Sequence, residues 1–385
     1  MGEHSVIDWV EGEAELSARW RSESGAPPPK QMAIADDRMT ADVAYGLACQ
    51  GTALLWRGDF QNARQMLTAM AKRADRRPRK AKAAAPAAAA TPASSAEAFH
   101  RHRQLQSQRA RTLGMLLIPL EEGYGISLRR APDVHEACLE AWGPVEGATV
   151  VSLRELLGLI GAHEWRSKGI SIPAIDGRIH PHYGVFTPIR REYVDLVAQA
   201  PLPEAVASNS VAFDVGTGTG VLAAVLARRG IQRVVATDQD PRALACAREN
   251  IGRLGLAGQV EIVEADLFPL GKAALIVCNP PWVPARPSTP IERGIYDPES
   301  RMLKGFLAAL SAHLATGGEG WLILSDLAEH LGLRTRGELL AAIKDAGLRT
   351  LGRIDAKPKH PKAADESDPL HAARAAEVTS LWRLA

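Results

Sequence analysis

The chain has 385 residues, a net charge of +2 and four scattered cysteines. This length accommodates two or three domains, each with its own hydrophobic core. No cysteines are paired at ligand spacing, which argues against a disulfide framework and a structural zinc site. No apolar run approaches the roughly 18 residues that span a bilayer, and the acidic first residues contain no apolar signal core. We therefore expect a cytoplasmic protein without membrane association.

Residues 1–77 predict a helical N-terminal domain. Two apolar-periodic stretches, TADVAYGLACQGTALLW and DFQNARQMLTAMAKR, each begin at a residue suited to cap a helix, Thr40 and Asp59. Residues 78–98 follow and are rich in Ala, Pro and basic side chains. Because they have almost nothing to bury, they predict a disordered linker.

A strongly basic segment spans residues 72–111, with eleven Lys or Arg against Asp75 and Glu97. Such charge gives sequence-independent binding to nucleic-acid phosphates. Aromatic side chains for base stacking are nearly lacking, since Phe99 is the one aromatic residue in the segment. A solvated linker is the favoured interpretation, and an RNA-binding arm is the alternative.

Residues 99–189 predict a small α+β module. The stretch MLLIPLEEGYGISLRR alternates around a glycine-containing turn like a hairpin, and SLRELLGLIGAHEW opens with a capping box from Ser152 to Glu155. The stretch ISIPAIDGRIHPHYGVF has the pattern of a second hairpin, which turns at Asp176 and Gly177.

Two histidines of this second hairpin are separated by one residue. On a strand they would lie on the same face, as two ligands of one metal ion would. They are His180 and His182, in HPHYG. No third ligand is evident in the sequence, so we predict no metal site. We expect both histidines to be hairpin residues near the entrance of a cleft.

Residues 190–385 alternate strictly between strands and helices. The apolar runs VAFDVG, RVVATD, QVEIVEAD, ALIVC and GWLILS are separated by helical patterns, and LRTLGRI and VTSLWRL supply two further strands. This alternation predicts an α/β fold with a doubly wound, seven-stranded parallel sheet. Ligands of such sheets bind at the carboxyl ends of the strands, so the residues that follow each strand carry the functional information.

A glycine-rich loop, DVGTGTG, follows the first of these strands. Glycines here let the backbone turn sharply and approach a ligand at a helix N-terminus. The three glycines are Gly216, Gly218 and Gly220. A dinucleotide fingerprint needs its third glycine where Val221 stands, which disfavours a nicotinamide dehydrogenase. Asp214 is poorly placed for a pyrophosphate but suits a ligand with a positive amino group.

Acidic residues also follow the next two strands. Asp238, in TDQD, is placed to accept hydrogen bonds from two ribose hydroxyls, and Asp266, in ADLF, from an adenine amine. Taken singly, each aspartate is explained equally well as a helix cap. Acids at three successive strand ends beside a glycine loop describe a pocket for an adenosine with an amino-acid tail and no phosphates.

In these motifs the chain resembles the class I S-adenosylmethionine-dependent methyltransferases. The resemblance implies a Rossmann-like methyltransferase sheet in residues 190–385 and S-adenosyl-L-methionine as cofactor. It also places Leu267 and Asn279 in the cofactor site. The stretch NPPW, residues 279–282, looks like the NPPY-type catalytic loop of amino-methyltransferases, whose target is a nitrogen conjugated to a planar group.

The chemistry of such a target accounts for the residues of this loop. A conjugated nitrogen is a poor nucleophile because its lone pair is delocalised. The side-chain oxygen of Asn279 and the carbonyl of Pro280 can each accept one of its hydrogens, which fixes the nitrogen and directs its lone pair. Trp282 offers a flat face on which the planar target can stack. We predict that these three residues are catalytic.

Within this class the chain is most similar to the HemK/PrmC-like protein-glutamine methyltransferases, over roughly residues 170–325. The usual tyrosine of their loop is Trp282 here. The resemblance implies a macromolecular substrate, with a protein glutamine as the leading hypothesis. An RNA or DNA exocyclic-amine (adenine or guanine) methyltransferase is the alternative, and the intact NPPW disfavours a binding protein without catalysis. The sequence leaves the oligomeric state open.

Overall fold

The computed structural model describes residues 5–75, 94–144, 146–358 and 368–385. The strands are β1 Val6–Glu11, β2 Ala14–Arg21, β3 Gln31–Ala35, β4 Thr52–Trp56, β5 Leu116–Leu120, β6 Thr149–Ser152, β7 Ile170–Ile172, β8 Gly177–Ile179, β9 Val211–Val215, β10 Arg233–Asp238, β11 Val260–Glu264, β12 Ala273–Cys278, β13 Leu314–Ser325, β14 Thr350–Ala356 and β15 Thr379–Leu384. The helices are α1 Ala41–Cys49, α2 Phe60–Ala74, α3 Ser95–Leu113, α4 His135–Trp142, α5 Leu153–Lys168, α6 Glu192–Gln199, α7 Val221–Arg228, α8 Pro241–Arg253, α9 Arg301–His313, α10 Leu327–His330, α11 Arg336–Asp345 and α12 His371–Ala376. Among the described residues, none of these helices is long and apolar enough to cross a membrane.

The chain divides into two compact units, the first with residues 1–93 and 100–164 and the second with residues 94–99 and 165–385. The described strands of the first unit form a sheet in the order β1-β2-β6-β5-β4-β3. β3, β4 and β5 run parallel, whereas β1 and β2 form an antiparallel hairpin. Residues 53–56 of β4 are all buried, as expected for a strand inside a sheet with both faces covered.

The prediction of a helical domain in residues 1–77 is therefore wrong, because this part of the chain contains four strands. The two predicted caps, Thr40 and Asp59, do begin α1 and α2. The stretch TALLW, predicted as the end of the first helix, is β4. Gly51 separates it from α1 with a φ of +89°. The residues of TALLW favour helices, but pairing with β3 and β5 outweighs that preference.

Two local predictions within residues 99–189 are also wrong. β5 has no hairpin partner directly after it, because Glu122–Tyr124 is a 3-10 turn and both edges of β5 pair with β4 and β6. The capping box at Ser152 does not form. Its hydroxyl is buried without a hydrogen-bond partner among the described residues, while the Glu155 carboxylate accepts the N–H of Glu23 at 3.3 Å.

The predicted linker, residues 78–98, lies mostly outside the described residues, which resume at residue 94. The N–H of Glu97 donates to Ser94 Oγ at 3.2 Å, and the N–H of Ser94 donates to the Glu97 carboxylate at 2.9 Å. This reciprocal pair is a capping box that starts α3. Residues 95–98 are therefore helical, and the prediction of a linker is wrong for them. The stretch SSAE has the pattern of a capping box, but the segment was interpreted from its composition alone.

The second unit contains the predicted seven-stranded sheet, in the order β11-β10-β9-β12-β13-β15-β14. β9 to β13 run parallel as predicted, but β15 is antiparallel to both of its neighbours, so the prediction of an all-parallel sheet is wrong for β15. Alternate residues face opposite sides of the sheet. Val277 shares a core with α6 and α7, whereas Ile276 shares one with α9 and α11. The Rossmann-like sheet is thus confirmed, and every strand predicted in this region overlaps an observed one.

The boundary between the units differs from the predicted one at residues 189 and 190. β7 and β8 pair antiparallel, which confirms the second predicted hairpin, and Asp176 takes a left-handed φ of +46° at its turn. Ile172, Ile175 and Ile179 are buried in the same core as α7. The hairpin therefore belongs to the second unit, and residues 99–189 are not a separate module.

Candidate active site

The parallel strands of the second unit bring most of the predicted residues to one edge of the sheet. Neighbours in the sheet, β9 and β12 are separated in sequence by β10 and β11, which lie on the other side of β9. The loops diverge at such a reversal and leave a crevice. A cavity of about 550 Å³ lies at this edge, lined by residues that follow β9, β10, β11 and β12. Its volume is within the range of sites for small molecules and cofactors, roughly 300 to 1,000 Å³.

The glycine loop after β9 forms one wall of this cavity. Gly216 and Gly218 line it, with φ values of +76° and +55° that other residues rarely adopt. An added Cβ at Gly218 would meet no protein atom within 4 Å and would take up cavity space instead. Gly220 does not line the cavity, contrary to the prediction. A Cβ there would lie 3.3 Å from the Cα of Ala247, so this glycine lets α7 begin close to α8.

Asp214 lies beneath the loop and does not face the cavity, again contrary to the prediction. It is 1% exposed. Its Oδ2 accepts the hydroxyl of Thr217 at 2.6 Å and the N–H of Ala223 at 3.0 Å. Burial raises the pKa of Asp214 to about 6. The carboxyl group therefore ties the glycine loop to the first turn of α7 and does not reach toward an amino group of the ligand.

Asp238, at the end of β10, lines the cavity. Its Oδ2 accepts the N–H of Gly218 and its Oδ1 the N–H of Asp240, both at 3.0 Å. Burial raises its pKa above the usual range of an aspartate. Each carboxylate oxygen keeps a further lone pair, so Asp238 can accept two neighbouring hydroxyl groups.

The residues after β11 divide between the cavity and the solvent. Leu267, predicted to lie in the cofactor site, lines the cavity with Ala265. Leu267 has a φ of +74°, and its carbonyl accepts the hydroxyl of Thr237. Asp266 is exposed and pairs with Arg301 at 3.1 Å. The predicted contact of Asp266 with an adenine amine is therefore not supported by its placement.

The NPPW loop after β12 places Asn279 at the cavity, together with Pro281. The indole N–H of Trp282 donates to Asn279 Oδ1 at 2.8 Å. Pro280 is buried and does not line the cavity. Trp282 does not line it either, and the guanidinium carbon of Arg190 lies 5.1 Å from the centre of its ring. Trp282 was predicted to stack on the substrate. In the structure it contacts Asn279 instead and does not line the cavity.

Several lining residues escaped the sequence analysis because they do not follow a strand of the sheet. Phe186 and Tyr193 come from the segment before β9, and Met302 from α9. Tyr193 is 3% exposed, and burial raises its pKa. A Cβ on Gly216 would come within 2.4 Å of Met302 Cε, so the methionine packs directly on the glycine loop. These side chains supply the apolar part of the wall.

His180 and His182 attach the β7–β8 hairpin to its neighbours. His180 Nδ1 lies 2.6 Å from the carbonyl oxygen of Arg166, and His182 Nε2 lies 2.7 Å from the Glu249 carboxylate. Burial opposes ionisation of Glu249, but hydrogen bonds from His182 and Arg253 outweigh it and lower the pKa of Glu249 to about 2. In the part of the chain that the structure describes, no three His, Cys, Asp or Glu side chains are grouped as metal ligands.

The chain matches a family model and several curated proteins over part of its length. Residues 177–336 match the family model of the methyltransferase small domain. A ribosomal protein L11 methyltransferase of Pelotomaculum thermopropionicum is 45% identical over 80 residues, which are 20% of this chain and 26% of the relative. A release factor glutamine methyltransferase of Cereibacter sphaeroides is 38% identical over 110 residues, which are 28% of this chain and 36% of the relative.

The chain is also similar to a solved S-adenosylmethionine-dependent methyltransferase from Thiobacillus denitrificans in complex with S-adenosyl-L-homocysteine. That likeness has 17% identity and a TM-score of 0.35, and it covers 56% of this chain and 99% of the other. The chain spans about a quarter to two fifths of the length of the first curated relatives, from 24% to 42%.

The cavity suits the cofactor that the sequence predicts. Asp238 offers two carboxylate oxygens to a ribose, the backbone is open at Gly218, and no basic cluster for a pyrophosphate stands at the glycine loop among the described residues. Residues 177–336, which match the methyltransferase small domain, include the walls of this cavity.

Proposed function

We propose that the protein is an S-adenosylmethionine-dependent N-methyltransferase that acts on a planar amide or amino nitrogen, and that its substrate is a glutamine side chain of a protein. The observation that carries the proposal is the position of Asn279. Its side chain stands at the cavity that Asp238 and the glycine loop also line, and its Oδ1 is held by the indole N–H of Trp282.

Asn279 is suited to hold a nitrogen that bears hydrogens. An amide oxygen has two lone pairs. One of them accepts the indole N–H of Trp282 at 2.8 Å, and the second is available to a hydrogen of the target nitrogen. The same contact identifies which end of the Asn279 amide is the acceptor. The side chain therefore presents an oriented acceptor, as a reaction that depends on positioning requires.

The remaining lining residues bind the cofactor and limit access of water. Asp238 accepts the ribose hydroxyls, and Gly216 and Gly218 allow the backbone to approach the ligand. Phe186 and Tyr193 cover the cavity with apolar surface. S-adenosylmethionine supplies an activated methyl group on a sulfonium sulfur. Transfer of that methyl group to the target nitrogen would leave S-adenosylhomocysteine, and the nitrogen would lose one proton.

The relatives favour a protein as the substrate. Both kinds of relative are named for a component of translation, a release factor in one case and ribosomal protein L11 in the other. The release factor methyltransferase is named for glutamine, whose side-chain amide is a planar conjugated nitrogen of the type that Asn279 is placed to hold.

The test is to incubate the protein with methyl-labelled S-adenosylmethionine and cell lysate, and to treat the product with protease or nuclease. We expect protease to release the label and mass spectrometry to locate a methyl group on a glutamine side chain. The Asn279→Ala variant, assayed beside it, is the control for labelling by other enzymes. Label on a carboxylate, a lysine or an N-terminus would contradict the proposal.

One observation favours the nucleic-acid alternative. In the first unit, α3 carries Arg101, Arg103, Arg109 and Arg111, and Arg101 and Arg111 are exposed. Arg109 is engaged by Asp75 at 2.7 Å. Such a helix suits contacts with phosphates. If nuclease and not protease removes the label, and if binding to RNA weakens steeply with salt, this alternative replaces the protein substrate.

A further inference from the structure

Arg190 is held in one place by two buried carboxylates from distant parts of the second unit. Its Nε donates to Glu192 at 2.8 Å, and its Nη1 donates to Glu377 at 3.0 Å. Glu192 is 7% exposed and Glu377 is 4% exposed. Glu377 also accepts the hydroxyl of Ser325 at 2.6 Å. The guanidinium is thus clamped between the first turn of α6 and the residues before β15.

The clamped guanidinium lies against the ring of Trp282. Its central carbon is 5.1 Å from the ring centre, within the distance at which a cation is attracted by an aromatic face. The third nitrogen, Nη2, is buried and has no hydrogen-bond partner among the described residues. Among the described residues, the ring face of Trp282 is therefore the favourable contact of this end of the guanidinium.

Trp282 in turn holds Asn279. A terminal amide turns in a broad torsional well, so the side chain of Asn279 alone does not fix the direction of its oxygen. The indole N–H, 2.8 Å from Oδ1, does fix it. That N–H points correctly only while the indole plane is held. A continuous set of contacts therefore runs from Glu192 and Glu377 through Arg190 and Trp282 to the oxygen at the cavity.

We propose that Arg190 is a positioning residue for Asn279 and that it acts through the indole of Trp282. The inference rests on the proposed function, because it concerns the acceptor that holds the target nitrogen. Arg190 itself does not line the cavity, so it has no direct contact with cofactor or substrate to lose. The hydrogen bond from the indole N–H to Asn279 also gives a reason for tryptophan in this loop. The phenol of a tyrosine has no donor at the position of the indole nitrogen.

The test variant is Arg190→Lys. Complete removal of the charge would leave two buried carboxylates without a cation and would endanger folding. Lysine keeps the charge near Glu192 and Glu377 but cannot lie flat on the ring while donating to both. The matched control is Arg229→Lys. Arg229 lies 5.7 Å from the ring centre of Trp321 and donates to two backbone carbonyls, away from the cavity.

Three measurements are made on both variants. We expect Arg190→Lys to lower kcat about tenfold, to leave the Kd of S-adenosylmethionine within about twofold, and to shift the NMR signal of the Trp282 indole N–H, assigned with Trp282→Phe. Arg229→Lys should leave kcat and that signal unchanged. The NMR measurement needs no methyl transfer, so an unchanged Trp282 signal in Arg190→Lys overturns the proposal whichever nitrogen the enzyme methylates.

A double-mutant cycle separates positioning from general stabilisation. If Arg190 acts through Asn279, adding Arg190→Lys to Asn279→Ala should lower the residual single-turnover rate by less than twofold. A tenfold fall in both backgrounds would show that Arg190 acts by another route and would refute the inference. Methyl transfer to glutamine by the wild-type protein is measured beside it, so that failure of the proposed function is seen separately.

Discussion

Replacing Asn279 by alanine tests the central claim about the cavity. The change removes the oxygen that accepts the indole N–H of Trp282 at 2.8 Å and that is proposed to accept a hydrogen of the substrate. We expect turnover to fall by roughly a hundredfold or more, about 2.7 kcal/mol in the barrier, the scale for loss of one positioned hydrogen-bonding group. The Kd of S-adenosylmethionine should stay within about a factor of three, because Asp238 and the glycine loop are untouched.

The same substitution leaves the indole N–H without its acceptor. Trp282 is partly buried, so the free energy of unfolding should fall by about 1 kcal/mol. Calorimetric titration with cofactor and a turnover assay are made on one sample, and urea unfolding confirms that the protein is folded. Asn279→Asp is the matched control for stability, since it keeps an acceptor for Trp282. If cofactor binding and turnover collapse together in a folded Asn279→Ala protein, the loop is structural and the proposed role of Asn279 is wrong.

Three further changes test other parts of the site. Asp238→Ala should weaken S-adenosylmethionine binding by about 2 to 4 kcal/mol, measured by calorimetry, because charge-assisted hydrogen bonds to the ribose are lost; an unchanged Kd would contradict that role. Gly220→Ala should cost about 1 to 3 kcal/mol of stability in urea, since it combines a φ of +81° with a backbone contact at 3.3 Å, and Gly230→Ala, which has a positive φ but no atom within 4 Å, should cost less. Burial raises the pKa of Asp214 in the folded state to about 6, above the ordinary aspartate value of 3.8, so its contribution to stability is fully present below about pH 3.8 and is lost as the pH rises through 6. The difference in unfolding free energy between wild type and Asp214→Asn should therefore change by about 3 kcal/mol over that window, and a flat difference would refute the burial argument.

The sequence was most informative where local pattern and burial agree. Each strand from β9 to β13 contains an apolar run that is followed closely by a polar or glycine residue, and each of these runs was found. Thr40 and Asp59 cap α1 and α2, as predicted. These features depend on a few consecutive residues, so they can be read without knowledge of the fold.

The first unit was less predictable because some of its strands are made of residues that also suit helices. TALLW and QMAIA have no strict alternation, and they become strands because β3, β4 and β5 pair with one another. Gly51, with its left-handed backbone, marked the end of α1 and was a usable signal. The capping box of Ser94 and Glu97 was a second usable signal. It was missed because the composition of the segment alone was used to predict a linker.

The sequence by itself predicted the class of cofactor, because the residues that directly follow parallel strands meet at one edge of the sheet. Only the tertiary structure decided which of those residues face the cavity. Asp214 turns inward to Thr217, and Asp266 turns outward to Arg301. The link from Arg190 through Trp282 to Asn279 was likewise invisible in the sequence. Such directions are set by contacts between residues far apart in the chain, and no local pattern of residue types encodes them.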